Sequence, residues 1–96
     1  MTTLIVNHHV ADFDAWKVVF DEHATARDAH GCESSEVLQS VADANAVTIV
    51  MQYPSAAAAQ GFLDDQSLKA AMGRGGVDAP PTISILEPVT AGATSS

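Results

Sequence analysis

Residues 3–10, Thr3-Leu4-Ile5-Val6-Asn7-His8-His9-Val10, decide the fold. The run is rich in branched side chains and too short for a buried helix, so it predicts a strand with both faces covered. Side chains alternate along a strand, which puts Leu4, Val6 and Val10 on one face and Ile5 on the other. A second run, Ala46 to Tyr53, repeats the pattern with Val47, Ile49 and Met51 one way and Val50 the other. A sheet with apolar residues pointing both ways needs a cover on each side.

Working outward, Asp12 caps a helix, Asp14 supports its first turn, and the pattern continues to His30 before Gly31 provides a left-handed stop. Glu33–Ala42 and Ala46–Tyr53 form a hairpin through Asp43-Ala44-Asn45, closed by Pro54. Ser55 caps a helical piece over Ala56–Leu63. Asp64 and Asp65 then mark a break before a second piece, Ser67–Arg74, in which Leu68 and Met72 sit one turn apart. Gly73, Gly75 and Gly76 end it as a flexible lip, Pro80-Pro81 forces an extended approach, and Thr82–Glu87 is the last strand. The order β, α, β, β, α, β predicts an α+β, ferredoxin-like four-stranded antiparallel sheet with its helices on one face. A second copy of the sheet, pressed face to face, is the obvious cover for the other side. The domain spans residues 1–88. The tail, residues 89–96, is small and polar and is expected to be a frayed, flexible end, the alternative being an arm across a partner subunit.

Ninety-six residues make one domain. A chain of this size buries only roughly 60 to 65% of its unfolded surface, so a subunit interface would help it. A net charge of −8 disfavours nucleic acid and anionic membranes as partners. The lone cysteine, Cys32, has no partner for an internal disulfide, which suits a reducing compartment. With no basic leader and no long apolar run, a soluble cytoplasmic protein is expected.

On a wheel of about 100° per residue the first helix gathers Phe13, Trp16, Phe20, Ala24 and Arg27 in one stripe, with His23 at its flank. An arginine facing a core needs a partner. Arg27 either bends to the rim, with its methylenes packed and its head in water, or borders a cavity where it donates to an anionic or enolate oxygen. Adjacent His8 and His9 point to opposite faces: if His8 takes the helix side it approaches Trp16, His23 and Arg27, while His9 faces the partner sheet. Each has the plain alternative of a satisfied interior or interface histidine. No spacing supplies a set of metal ligands, so no metal is expected. Met51, Tyr53, Phe62 and Met72 suit a core. Tyr53 differs in that a buried phenol needs a partner and can donate to a ligand.

His8-His9-Val10-Ala11-Asp12-Phe13-Asp14-Ala15-Trp16-Lys17, then Phe20-Asp21-Glu22-His23, Arg27 and Gly31, with a hairpin and an alanine-rich helix ending before Gly76-Val77 and Pro81, resemble small bacterial dimeric α+β barrel proteins. That superfamily includes antibiotic biosynthesis monooxygenases and polyketide cyclases, and the likeness extends to Glu87. It implies two sheets facing each other, with a ligand cavity between each sheet and its own helices. In cofactor-free, quinone-forming relatives polar and aromatic pocket residues generate a substrate carbanion, roles that Trp16 and Tyr53 suit. In cyclase relatives pocket histidine and arginine guide enolates, as His8, His23 and Arg27 would here. Haem-using relatives are larger than this chain.

The expected function is therefore a homodimeric pocket protein for a small aromatic or polyketide-type molecule, a monooxygenase or cyclase without cofactor. His8 or His23 moves a proton, Arg27 and Tyr53 polarise oxygen, and Trp16 stacks on the ring, with Phe20, Met51 and Met72 completing the substrate wall. A non-catalytic ligand-binding or stress-response barrel is the competing reading, and a protein-assembly module a third.

Overall fold

The computed structural model describes residues 1–89, and the proposed tail lies outside them from residue 90 onward. The elements are β1 (Thr2–His9), α1 (Phe13–Glu22), α2 (Ala24–Ala29), β2 (Ser34–Gln39), β3 (Ala46–Tyr53), α3 (Ala56–Leu63), α4 (Gln66–Arg74) and β4 (Thr82–Leu86). The strands form one antiparallel sheet in the order β2-β3-β1-β4, the ferredoxin-like arrangement expected from the sequence.

Alternation sets the two faces. Leu4, Val6 and His8 on β1 pair with Met51, Ile49 and Val47 on β3, and all six are buried beneath the helices. Ile5 and Val50 pair on the opposite face and stay half-buried, with Leu38 and Leu86 exposed at its flanks. One face is thus a finished core and the other an open mixed surface, where Thr48 donates to Asn7 across the strands.

The caps follow the local rules. Asp12 accepts the Ala15 N–H and Ser55 accepts the Ala58 N–H. Asn45, in the hairpin turn, adds a second anchor by accepting the Phe13 N–H at 2.9 Å. Gly31 has φ +88°, the left-handed stop expected after His30.

Two expectations need correction. The long first helix is two helices, broken at His23, whose ψ is 5°. At the break the Phe20 carbonyl accepts a hydrogen bond from Arg27 Nη1 at 2.8 Å, so a side chain helps satisfy the end of α1. The glycine-rich segment is no flexible lip. Gly75 is buried, with room for a Cβ only 3.0 Å from the Trp16 ring and 3.2 Å from the Ala71 carbonyl. Gly76, at φ +77°, accepts the Ala11 N–H at 2.9 Å, and Val77 bridges to Val10. The segment is a seam stitching the end of α4 to the end of β1.

Candidate functional site

Between the covered face of the sheet and the helices lies a cleft. The strands contribute Val6, His8, Ile49 and Met51; α1 contributes Trp16, Val19 and Phe20; His23 and Arg27 come from the break and α2; Phe62, Leu68, Ala71 and Met72 come from α3 and α4. With its mouth the cleft spans about 470 Å³, but its enclosed cavity is only about 40 Å³. That is room for a few waters, against a cavity of roughly 150 Å³ for a benzene-sized ring. An aromatic guest therefore requires side chains to move, and Met72, unbranched and partly buried on α4, is the most adaptable side chain in a partly buried part of the wall.

His8 comes to the cleft because its place in β1 turns it to the helix side. It is 9% exposed and meets Trp16 edge-on at 5.4 Å. Its Nδ1 is buried without a hydrogen-bond partner. Burial lowers its pKa, an effect that the backbone carbonyls of His8 and Val47 offset only in part. The ring is neutral and one nitrogen is unspent.

Arg27 is 7% exposed, which corrects the idea that its head bends out to water. The guanidinium carbon lies 3.7 Å from the centre of the Phe20 ring, and Phe20 in turn stacks on Trp16 at 5.0 Å. Burial lowers its pKa, while Cys32 and Tyr53 act the other way, yet guanidinium keeps its charge at any ordinary pH. No carboxylate pairs with it among the described residues. Of the residues lining the cleft, Arg27 alone carries a full charge.

His23 is equally buried, but it is partnered: its Nε2 and the Ser67 Oγ share a hydrogen bond of 2.9 Å. Burial lowers its pKa, and the charges of Arg27 and Arg74 add to that against the opposing pull of Asp65.

Tyr53 does not line the cleft. Fully buried, it stacks against Phe62 at 5.9 Å and its hydroxyl approaches the Met51 sulfur at 3.8 Å. Burial, with Cys32 beside it, pushes the phenol far above its usual pKa. Its expected role toward a ligand is corrected to one in the core, because Phe62 fills the space between. Met51 and Met72 do line the cleft, as do Trp16 and Phe20. His9 stands away from it, with Asp78 at 2.9 Å and Asp43 at 3.1 Å.

Ser67, Asp65 and His30 were not expected at the site. Asp65 caps α4 by accepting the Ser67 N–H, and its second oxygen lies 2.8 Å from His30 Nε2. These bonds hold its carboxyl at a pKa of about 2. The usable signal was His23 and His30 seven residues apart, hence on one helical side. No three His, Cys, Asp or Glu side chains gather in a metal-binding group among the described residues.

A ferredoxin-like sheet with a basic, aromatic cleft beneath its helices defines an α+β pocket protein. The chain belongs to the antibiotic biosynthesis monooxygenase family, whose model matches residues 10–74. Its fold is similar to that of SnoaB of Streptomyces nogalater, a cofactor-independent oxygenase, with a TM-score of 0.76, 11% identity, and 94% of each chain covered. A proposed antibiotic biosynthesis monooxygenase of Caulobacter crescentus gives a TM-score of 0.74 at 20% identity, over 93% of this chain and 90% of that one. NE2512 of Nitrosomonas europaea, a protein of unknown function, gives 0.72 at 16% identity, over 94% and 90%. No curated protein matches the chain by sequence. Among the described residues no helix is long and apolar enough to cross a membrane.

Proposed function

We propose that the cleft takes up a small aromatic phenol or enol of polyketide type and holds the anion formed there, and that the protein acts on it as a cofactor-independent monooxygenase or cyclase. The observation that carries this is that His8, a buried imidazole with one nitrogen lacking a hydrogen-bond partner, lines a cleft whose full charge is the cation Arg27. A neutral imidazole accepts a proton, and a guanidinium with no carboxylate partner in a desolvated site favours the oxyanion that forms. Trp16 and Phe20 offer ring faces for stacking, and Met51 and Met72 shape the wall.

In the oxygenase form, a ring CH2 activated by its phenol or enol loses a proton to His8. The carbanion then reduces O2; one oxygen atom enters as C=O and the other leaves as water, so CH2 + O2 gives C=O + H2O. The substrate supplies all four electrons, and no reductant is needed. In the cyclase form the same enolate attacks a carbonyl of its own chain.

The working unit is a homodimer. The open face, with Ile5 and Val50 at its centre and Leu38 and Leu86 at its flanks, supports sheet-to-sheet pairing.

A second reading, binding without turnover, is favoured by the narrow cleft and by Arg27 already engaging the Phe20 carbonyl. The test is incubation with a panel of polyphenols under air and under argon. Product only under air identifies the oxygenase, product under both the cyclase, and a melting-temperature rise without product the binder. His8→Ala and Arg27→Ala should each abolish turnover. Full rates in both would contradict the assignment.

A further inference from the structure

A chain of polar side chains runs from the cleft wall to solvent along the seam between α2 and α4. His23 opens α2 and His30 closes it, so a histidine stands at each end of that helix. Both reach the start of α4, His23 Nε2 to Ser67 Oγ at 2.9 Å and His30 Nε2 to Asp65 Oδ2 at 2.8 Å. The remaining Asp65 oxygen accepts the Ser67 N–H at 2.8 Å. Ser67 is thus fixed by its backbone while its hydroxyl touches the ring.

The two cleft histidines differ in consequence. His8 has a buried nitrogen with no partner, so a proton that arrives there has no protein group to leave by. His23 is 9% exposed, but the residue it bonds, Ser67, lies on the surface. A hydroxyl donates and accepts at once, so it links a sealed imidazole to water without exposing the ring.

We infer that Ser67 is the positioning residue of His23 and the outlet through which the cleft exchanges protons with solvent, a role that rests on proton transfer taking place in the cleft. With Nε2 tied to Ser67, Nδ1 is the atom left to a ligand. A proton taken up at Nδ1 is matched by one passed from Nε2 to the hydroxyl oxygen as the hydroxyl proton moves to water. One proton leaves and no electrons move. The charged and titratable groups facing His23 are Arg27 from α2 and Asp65 and Arg74 from α4, with the Phe62 ring of α3 beside them. The two arginines and burial keep the imidazole neutral, the form that can relay.

The test compares Ser67→Thr, which keeps the hydroxyl, with Ser67→Val, which keeps the shape and loses it. Imidazole 15N NMR on the free protein reads the His23 tautomer ratio, its titration midpoint and its N–H exchange with water; Ser67→Ala gives a second deletion should valine disturb the fold. Threonine is expected to match wild type. Valine and alanine should redistribute the tautomers by about fivefold, as the loss of one hydrogen bond does, and slow the exchange. Identical tautomer ratio and exchange in the threonine, valine and alanine variants would overturn the inference. Because no substrate enters the measurement, its failure leaves the His8 and Arg27 assignment to be judged separately by turnover.

Discussion

The imidazole of His8 meets the indole of Trp16 edge-on, 5.4 Å between ring centres and 83° between planes. The contact braces a neutral histidine against the cleft wall while its Nδ1 stays unpaired. Burial lowers the His8 pKa below 6.5, whereas the unfolded chain titrates near that ordinary value. The unfolded state therefore binds more protons in the window between the two, and stability falls as pH drops through it. His8→Phe should lose less stability than wild type between about pH 7 and pH 5 in urea unfolding. Parallel losses would show that His8 is not buried neutral.

His9 carries the opposite sign. Asp78 and Asp43 raise its pKa, chiefly through the Asp78 hydrogen bond, so its stabilising charge is fully present below the unfolded value of 6.5 and is lost as pH rises through the raised one. The melting-temperature deficit of His9→Gln should be largest near pH 6 and shrink by about pH 9. A deficit independent of pH would mean that the carboxylates hold His9 by shape alone.

Gly75 lies where a Cβ would come within 3.0 Å of the Trp16 ring and 3.2 Å of the Ala71 carbonyl. Its φ is −77°, so alanine costs nothing in backbone conformation and the penalty is one of space. Gly75→Ala should destabilise by about 1–3 kcal/mol and shift the Trp16 fluorescence. Wild-type stability and emission would show that the seam has slack.

How much of this was legible in the sequence depended on how local each cause is. Period-two alternation put Leu4 and Val6 against the helices and Ile5 and Val50 away from them, and Asp12, Ser55 and Gly31 act on their own neighbours, so strands and helix ends could be read directly. The break at His23 could not, because what makes it tolerable is the Arg27 side chain reaching back to the Phe20 carbonyl, a bond that hydrophobic periodicity does not record. Gly73, Gly75 and Gly76 suggested freedom, whereas Gly75 is required by the closeness of Trp16. His8, Trp16, Phe20, His23, Arg27, Met51 and Met72 all meet at the cleft. Tyr53 shares a strand face with Met51 but lies behind Phe62, which only packing reveals. Ser67 lies 44 residues from His23 and had no signal of its own.

If the open sheet face closes a dimer, Val50→Glu, placed opposite Ile5, should leave the cleft intact and split the assembly. Sedimentation at micromolar concentration is expected to give twice the chain mass of 10.0 kDa for wild type and the single-chain mass for the variant. A wild-type protein that sediments as a single chain would remove the barrel.

The central claim is that a phenolic guest docks in the cleft against the neutral imidazole of His8 and the Trp16 ring. Imidazole 15N NMR of His8, recorded with and without saturating 1-naphthol at pH about 7.5, tests it most directly, since a ring nitrogen shifts when it accepts a hydrogen bond. The account predicts that the His8 ring-nitrogen signals shift as one of them accepts the naphthol hydrogen bond, and that the naphthol shows contacts to Trp16. An unmoved His8 signal with naphthol bound at Trp16 would contradict it.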